Sequence, residues 1–336
     1  MASKANAGNR YYSGPQSDHF DGRVFFNPNG TPPRGPGDLL RWQFGGGRAV
    51  WPATFPSPHE PARPDERVDG KNLRVTMVGH ATLLVQVAGL NILTDPVWSD
   101  RASPVSFAGP KRVNAPGIAF ADLPPIDLIL LSHNHYDHMD IATLRRLKAD
   151  HDPLVVTPLG NDAIVGADIP DMRMTAHDWG EAVEIADGVT VHVEPVHHWS
   201  ARGMGDRRMA LWAGFVVETP AGRIYHVGDT GFHAGVNYRA AAEKHGSFRL
   251  AILPFGAYEP RWFMEAQHQN PDEAVAGMML CNAAFAAGHH WATFQLTNEG
   301  IEEPRELLLA ALDREKVPRD RFRPMLPGEV WDVPEA

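Results

Sequence analysis

The segment from Leu128 to Leu144 reads LILLSHNHYDHMDIATL and places three histidines and one aspartate within six residues. Imidazole nitrogens and carboxylate oxygens without a thiolate favour zinc, and such a set also suits iron or manganese. The candidate metal ligands in this segment are His133, His135, Asp137 and His138. One loop cannot complete the coordination of two metal ions, so further ligands are expected at the ends of later elements.

Three later places in the chain offer such ligands. VHVEPVHHWS ends a strand with His197 and His198, IYHVGDTGF ends one with Asp229, and NAAFAAGHHWATF places His289 and His290 after a helix. An interpretation with two metal ions divides the ligands into two groups that share Asp229 as a bridge. One ion is then bound by His133, His135 and His198, and the other by Asp137, His138 and His290.

The elements that must position these residues alternate between strand and helix patterns. Strand candidates begin with the meander LRVTMVGHATLLVQVAGLNILTDP and continue with DLILLS, LVVTP, VTVHVEP, ALWAGFVVET, RIYHVGD and RLAILPF. Helix patterns are DIATLRRLKAD, VNYRAAAEKHG, PDEAVAGMMLCNAAF and EEPRELLLAALDREK. Strands grouped with helices in both halves predict an α/β (α+β) fold, a four-layer αββα sandwich. After the strand DLILLS, two-residue alternation is expected to send His133, His135 and Asp137 to one side.

The composition sets the domain organisation and excludes some functions. The 336 residues, 43% hydrophobic and 21% charged, are typical of a soluble globular protein. Residues 1–70 are rich in glycine, proline and arginine and predict an irregular arm that wraps the core, whereas residues 71–336 form the catalytic domain. The net charge of −10 disfavours a nucleic-acid partner. The single cysteine, Cys281, excludes an intrachain disulfide. No signal peptide or apolar run of about 18 residues is apparent, which favours a cytoplasmic location.

The order of the motifs resembles the metallo-β-lactamase superfamily. HATLLVQVAGLNILTDPVWSDRASPVSFAGPKR, LPPIDLILLSHNHYDHMD, FGAYEPRWFM and GHHWATFQLTNE are similar to the N-acylphosphatidylethanolamine-hydrolysing phospholipase D group and its bacterial RomA-like relatives, over about residues 73–300. The resemblance implies the metallo-β-lactamase fold for residues 71–336. In that group the histidine directly before tryptophan is the ligand, which selects His198 and His290 over His197 and His289. It also implies that Asp95 supports the metal-binding loop without being a ligand, and that His80 is a structural or supporting residue.

The resemblance implies a zinc-dependent hydrolase, most specifically a phosphodiesterase of phospholipase D type. The expected substrate is N-acylphosphatidylethanolamine or another amphiphilic phosphodiester. Two divalent ions, zinc or else iron or manganese, lower the pKa of a shared water and supply a bridging hydroxide. The expected catalytic residues are Asp137 and Asp229, which hold this centre, and His268, a proton donor for the departing alkoxide.

Several alternatives stay open at the level of sequence. The same ligands serve lactone, thioester and β-lactam hydrolysis, and a non-catalytic metal-binding protein related to the cell envelope is a further alternative. Besides a small or lipid-like phosphodiester, the partners compatible with the sequence are the inner face of a membrane, contacted peripherally by the aromatic arm, and a second copy of the chain. Residues with either structural or substrate-contacting roles are Tyr258, Glu259, Arg261, Gln267, Arg202, Arg207 and Arg208.

Overall fold

The structure is a computed structural model that describes residues 8–336. Within these residues, two mixed sheets contain seven strands each. In chain order the strands are β1 (Leu73–Gly79), β2 (Thr82–Val87), β3 (Leu90–Thr94), β4 (Leu128–Leu130), β5 (Leu154–Pro158), β6 (Met174–His177), β7 (Ala182–Ala186), β8 (Val189–Glu194), β9 (Gly214–Thr219), β10 (Gly222–His226), β11 (Phe248–Pro254), β12 (Ala283–His289), β13 (Phe322–Pro324) and β14 (Val330–Asp332).

Residues 8–336 also contain seven α-helices, of which the first precedes all the strands. They are α1 (Pro36–Phe44), α2 (Ile141–His151), α3 (Asn161–Asp168), α4 (Val236–His245), α5 (Arg261–Met264), α6 (Pro271–Leu280) and α7 (Glu303–Arg314). In this part of the chain, no helix combines the length and the apolar character needed to cross a membrane.

The predicted helix PDEAVAGMMLCNAAF is wrong in its last five residues. Asn270 and Glu273 start α6 with a capping box, as its sequence allows. The helix ends because Asn282 has a left-handed backbone conformation, with φ of 55°, which asparagine tolerates better than most residues. The chain then pairs with β11 as the parallel strand β12. His289 and His290 therefore lie at the end of a strand and not after a helix.

Each of the two sheets consists of an antiparallel half and a parallel half. The first has the order β14-β1-β2-β3-β4-β5-β6, and the second has the order β13-β12-β11-β10-β9-β8-β7. In the first, β14 to β3 pair antiparallel and β3 to β6 pair parallel. In the second, β7 to β10 pair antiparallel and β10 to β13 pair parallel. The predicted antiparallel meander is confirmed as β1 to β3.

Three apolar layers separate the sheets and helices. Between the sheets, Leu128 of β4 packs in the same cluster as Val193 of β8. Side-chain alternation turns Ile129 to the opposite face, where it packs with Leu144 of α2. Outside the second sheet, Met278 of α6 joins a cluster that contains residues of β11. The predicted four-layer αββα sandwich is thus confirmed.

The segment before β1 contacts the second sheet closely. It contains α1, which the sequence pattern did not predict, and an antiparallel bridge between Phe20 and Phe25. Both phenylalanines are buried in the apolar layer outside the second sheet, in the same cluster as Trp212. The division into an arm of residues 1–70 and a catalytic domain of residues 71–336 stays a prediction.

Candidate metal centre

The loop with the four clustered ligand candidates connects β4 to α2. It does not stay extended, because the amides of His138 and Met139 both donate to the carbonyl oxygen of His135, at 3.1 and 2.8 Å. The expected two-residue alternation is therefore wrong from His135 onwards. This turn, and not strand geometry, directs Asp137 and His138 towards the same region as His133. Asp140 then caps α2 by accepting a hydrogen bond from the amide of Ala142, at 3.1 Å.

The other predicted ligands come from the second sheet. His198 follows β8, Asp229 follows β10, and His290 follows β12 directly. Strands β10 and β12 lie on either side of β11 and run parallel to it, so their carboxyl ends open at one edge of the sheet. Ligand sites in α/β folds form at this kind of edge. The loop between β4 and α2 of the first sheet meets these residues there.

His133, His135 and His198 form a first group of imidazoles. Nδ1 of His135 lies 2.9 Å from Nε2 of His133 and 3.3 Å from Nε2 of His198. For a tetrahedral zinc with bonds of about 2.0–2.1 Å, neighbouring ligand atoms lie roughly 3.3 Å apart. These nitrogens are close to that spacing, so the group can hold one ion.

Asp137, His138 and His290 form a second group. Oδ2 of Asp137 lies 3.4 Å from Nε2 of His138 and 3.2 Å from Nε2 of His290. Both separations again match neighbouring ligands of one tetrahedral ion. Nε2 of His80 also lies 2.8 Å from this oxygen, which adds a fourth residue to the group.

The carboxylate of Asp229 lies between the two groups. Its Oδ2 atom is 3.2 and 3.1 Å from Nε2 of His138 and His290, and 3.9 and 3.7 Å from Nε2 of His133 and His198. One oxygen therefore faces two imidazoles of each group. The carboxylate is almost fully buried, and its Oδ1 atom has no hydrogen-bond partner.

Burial controls the charge of the first group in the metal-free protein. It lowers the pKa of His135 and of His198 to about 3, and holds the pKa of His133 well below its ordinary value. The three rings are therefore neutral near pH 7. Neutral imidazole is the form that binds a metal, so little proton release is needed here.

The second group attracts positive charge. Burial lowers the pKa of His290, but Asp229 and Asp137 outweigh it and raise the value to about 9. The same carboxylates raise the pKa of His138 well above normal against the effect of burial. Burial would in turn raise the pKa of both carboxyls, yet the charge of His138 keeps them well below their usual range. A cation bound here competes with these protons.

Asp95 orients the loop between β4 and α2, which contains the candidate ligands. Its Oδ1 atom accepts from the amide of Ser132 at 2.7 Å, and its Oδ2 atom accepts from the Ser132 hydroxyl at 2.7 Å and from Nδ1 of His138 at 2.8 Å. The last bond fixes the ring so that Nε2 of His138 points into the centre. Nδ1 of His198 is held in the same way by the backbone oxygen of Gln267, at 2.9 Å. Such partners fix both the tautomer and the direction of a ligand.

His197 and His289, which directly precede the predicted ligands His198 and His290, have different surroundings. Nδ1 of His197 donates to the backbone oxygen of Ala266 at 2.6 Å, and its Nε2 accepts from the amide of Thr31 at 3.1 Å. His289 is fully buried, and neither of its ring nitrogens has a hydrogen-bond partner. Neither residue belongs to a group of ligand atoms around the centre. Both side chains are buried.

His268 borders the centre from a separate segment after α5. Its Nδ1 atom is 4.0 Å from Oδ2 of Asp229, and its ring lies 5.0 Å from that of His198. Burial lowers the pKa of His268 to about 3, so the ring is neutral in the metal-free protein. Arg261 supports this segment by donating to the backbone oxygen of His268 at 3.0 Å and by pairing with Glu273.

The other residues for which the sequence allowed either a structural or a substrate-contacting role have largely structural contacts. The guanidinium of Arg202 donates to the backbone oxygens of Asn134 and Met139, at 3.1 and 2.8 Å, and lies over the ring of Tyr136. Arg202 thus stabilises the loop between β4 and α2, a role that its position in the sequence did not reveal. Other contacts are those of Arg207 with the Trp199 ring and the Arg34 backbone, of Arg208 with Phe25, of Tyr258 with Glu303, of Glu259 with Arg261, and of Gln267 with Thr31.

Trp199 and Asn27 were not predicted to contact the centre. The Trp199 ring lies 4.8 Å from that of His135, edge to face. The Asn27 side chain donates to the backbone oxygen of His198 at 2.9 Å. The histidine–tryptophan pair was a sequence signal for Trp199. No local sequence signal indicated the role of Asn27, which contacts a residue 171 positions later in the chain.

Comparisons with known proteins agree with this geometry. The protein-family model described as the β-lactamase superfamily domain matches residues 90–291 of the sequence. The chain is 40% identical to N-acyl-phosphatidylethanolamine-hydrolyzing phospholipase D 1 of Caenorhabditis elegans, over 78% of this chain and 76% of the relative. It is 29% identical to a UPF0173 metal-dependent hydrolase of Pyrobaculum neutrophilum, over 77% of this chain and 99% of the relative.

Solved structures show the same fold at lower identity. The isothiocyanate hydrolase from Delia radicum gut bacteria superposes with a TM-score of 0.62 at 20% identity, over 77% of this chain and 99% of that chain. The fold, the clustered histidines and aspartates and these matches lead to one conclusion. The chain belongs to the metallo-β-lactamase superfamily of metal-dependent hydrolases and is similar to the N-acylphosphatidylethanolamine-hydrolysing phospholipase D group.

Proposed function

We propose that the protein is a binuclear zinc-dependent phosphodiesterase that hydrolyses an amphiphilic phosphodiester such as N-acylphosphatidylethanolamine. The observation that carries the two-ion proposal is the position of Asp229, whose Oδ2 atom faces two imidazoles of each ligand group at 3.1–3.9 Å. The 40% identity to a phospholipase D of Caenorhabditis elegans supports the choice of a phosphodiester.

The donor set fits divalent metal ions. Oδ1 of Asp229 is a buried polar atom without a hydrogen-bond partner, which is costly unless a ligand satisfies it. We assign one ion to His133, His135 and His198, and the other to Asp137, His138 and His290, with Asp229 shared. When bound, the ions supply an activated water nucleophile and neutralise charge on the phosphoryl oxygens.

The protein's own residues hold and orient this centre. The Asp229 carboxylate fixes the separation of the two groups, while Asp137 is held by Nε2 of His80, at 2.8 Å. His268 lies beside Asp229 with its Nδ1 atom free of hydrogen bonds. Since its ring is neutral in the metal-free protein, we expect it to give the departing oxygen a hydrogen bond from an N–H group and not a stored proton.

Helix α1 suggests how an amphiphilic substrate reaches the centre. Leu40 and Phe44 on this helix are 58% and 86% exposed, although apolar side chains are usually covered. The helix is anchored by Trp42, whose ring stacks on Phe263 of α5 at 4.8 Å and whose Nε1 donates to Asn298. Because α5 leads into the segment with His268, α1 lies beside that segment. We assign α1 to peripheral contact with a lipid surface.

The test is a substrate comparison with one metal-loaded preparation. Bis(p-nitrophenyl) phosphate and N-acylphosphatidylethanolamine are assayed beside an acyl-homoserine lactone and a chromogenic cephalosporin, and kcat/KM is compared. We expect the phosphodiesters to give the higher values. An Asp229→Ala preparation, purified identically, controls for contaminating hydrolases.

Two outcomes would overturn the proposal. A higher kcat/KM for either carbonyl substrate than for both phosphodiesters would favour a lactone or β-lactam hydrolase. Turnover of no substrate by protein that retains two metal ions would favour a non-catalytic metal-binding role.

A further inference from the structure

A second cluster of ligand-type side chains lies on the outer face of the second sheet. His192 and Glu194 are two residues apart on β8, and His245 is the last residue of α4. Since Val191 and Val193 face the other sheet, strand alternation turns His192 and Glu194 towards the helical layer. The end of α4 covers them there.

The ligand atoms of this cluster are close together. Nε2 of His245 lies 2.9 Å from Oε1 of Glu194, and the rings of His192 and His245 are 4.8 Å apart. One ligand atom from each of the three residues lies within 4.8 Å of the other two. Ligands around a tetrahedral ion lie roughly 3.3 Å apart, so a bound ion would draw these atoms closer together.

Two further features favour a cation at this cluster. Nε2 of His192 is buried and has no hydrogen-bond partner, since the nearby Oε2 atom of Glu218 is 3.6 Å away. The cluster also lies at the carboxyl end of α4, where the free carbonyl groups create a negative potential that favours positive charge.

We propose that His192, Glu194 and His245 form a separate binding site for a divalent transition-metal ion. Two imidazoles and one carboxylate suit zinc, with a water in the fourth position. The bound ion links β8 to α4 and so stabilises the packing of that helix on the sheet. The site shares no ligand with the centre at the strand ends, and the inference does not depend on the proposed hydrolysis.

The ammonium group of Lys244 competes with the ion for the carboxylate of Glu194. Its Nζ atom lies 2.7 Å from the same Glu194 oxygen that contacts His245, and its side chain is 43% exposed. Because the Lys244 side chain reaches solvent, its ammonium group can move away when an ion binds. Removal of this group should therefore strengthen metal binding at the cluster.

The test compares metal stoichiometry between the wild-type chain and the double variant His192→Gln/His245→Gln. Equilibrium dialysis against zinc should show one ion fewer per chain in the double variant, however many ions the other centre binds. Crystals of the zinc-loaded wild type should show anomalous density among the three side chains. His59→Gln, which removes a half-exposed histidine, is the matched control and should bind as many ions as the wild type.

Single variants keep the proposal testable if the double variant does not fold. His192→Gln should weaken binding at the cluster by at least about tenfold, since loss of a ligand costs more than loss of a group that only orients one. Lys244→Met should strengthen it severalfold. Equal zinc stoichiometry in the wild type and the double variant, or weaker binding in Lys244→Met, would show that the cluster is only a network of ion pairs.

Discussion

Replacement of Asp229 by alanine is the most direct perturbation of the candidate centre. The carboxylate contacts four imidazoles through one oxygen, at 3.1–3.9 Å. It lies in the loop after β10 and not within the sheet. We therefore expect Asp229→Ala to retain the fold and to lose most of the activity.

The size of the effect follows from the ligand count. Without Asp229 each group keeps three ligands, so both ions should bind more weakly but not be lost altogether. Loss of a residue that only orients a ligand weakens metal binding about 10- to 100-fold, and loss of a shared direct ligand should cost at least this much. Removal of a single group that stabilises a transition state lowers kcat about 10²- to 10³-fold. We expect kcat/KM to fall by about 10³-fold or more, or about 4 kcal/mol in the activation barrier.

The variant also has a signature in the metal-free protein. Asp229 is the main group that raises the pKa of His290 to about 9 against the effect of burial. In Asp229→Ala this pKa should fall, which NMR titration of the imidazole protons would detect. A change in pKa without a change in far-UV circular dichroism would separate a local electrostatic effect from unfolding.

The assay measures bound metal by elemental analysis and kcat/KM with bis(p-nitrophenyl) phosphate at saturating zinc. Asp127→Asn is the control, because Asp127 pairs with Arg67 just before β4, at the end of that strand opposite the metal-binding loop. The control should bind and turn over substrate as the wild type does. Near-normal kcat/KM in Asp229→Ala would refute the bridging role.

Three further predictions concern the ligand choice, pH and α1. His198→Ala should lose metal and activity whereas His197→Ala should keep both; equal losses in elemental analysis and turnover would show that the choice of ligand was wrong. For metal-free protein, urea unfolding should show the greatest stability near pH 6.5. Burial lowers the pKa of His198 from 6.5 to about 3, so the free energy of unfolding decreases as the pH drops below 6.5. The pKa of His290 is raised to about 9, so the stabilisation by its charged form is lost as the pH rises from 6.5 to 9. A stability that rises steadily from pH 6.5 to 9 would contradict this balance. Leu40→Ser/Phe44→Ser should reduce binding to phospholipid vesicles and turnover of N-acylphosphatidylethanolamine in them, but not turnover of bis(p-nitrophenyl) phosphate; unchanged vesicle binding would exclude α1 as the contact surface.

The sequence alone was enough to predict the layers and the position of the histidine-rich loop between β4 and α2. Apolar runs with strand periodicity and helices with clear caps are local signals, so β4, β8 and α2 were predicted within a few residues of their observed bounds. The helix predicted through residue 285 failed because parallel pairing with β11 outweighs the helix propensity of an alanine-rich segment. Helix α1 was missed because glycine and proline around it obscure its short pattern.

The tertiary structure decided how the ligands meet. His135 and His198 are 63 positions apart, and Asp137 and His290 are 153 apart, so their distances depend on the pairing of whole strands and not on local spacing. Local sequence also could not orient the two histidine pairs. The ring of His198 turns inward because the Gln267 backbone holds its Nδ1 atom, whereas the ring of His197 is held away by Ala266 and Thr31. Residue type and order thus identify the chemistry, while the direction of each side chain depends on contacts with segments distant in the chain.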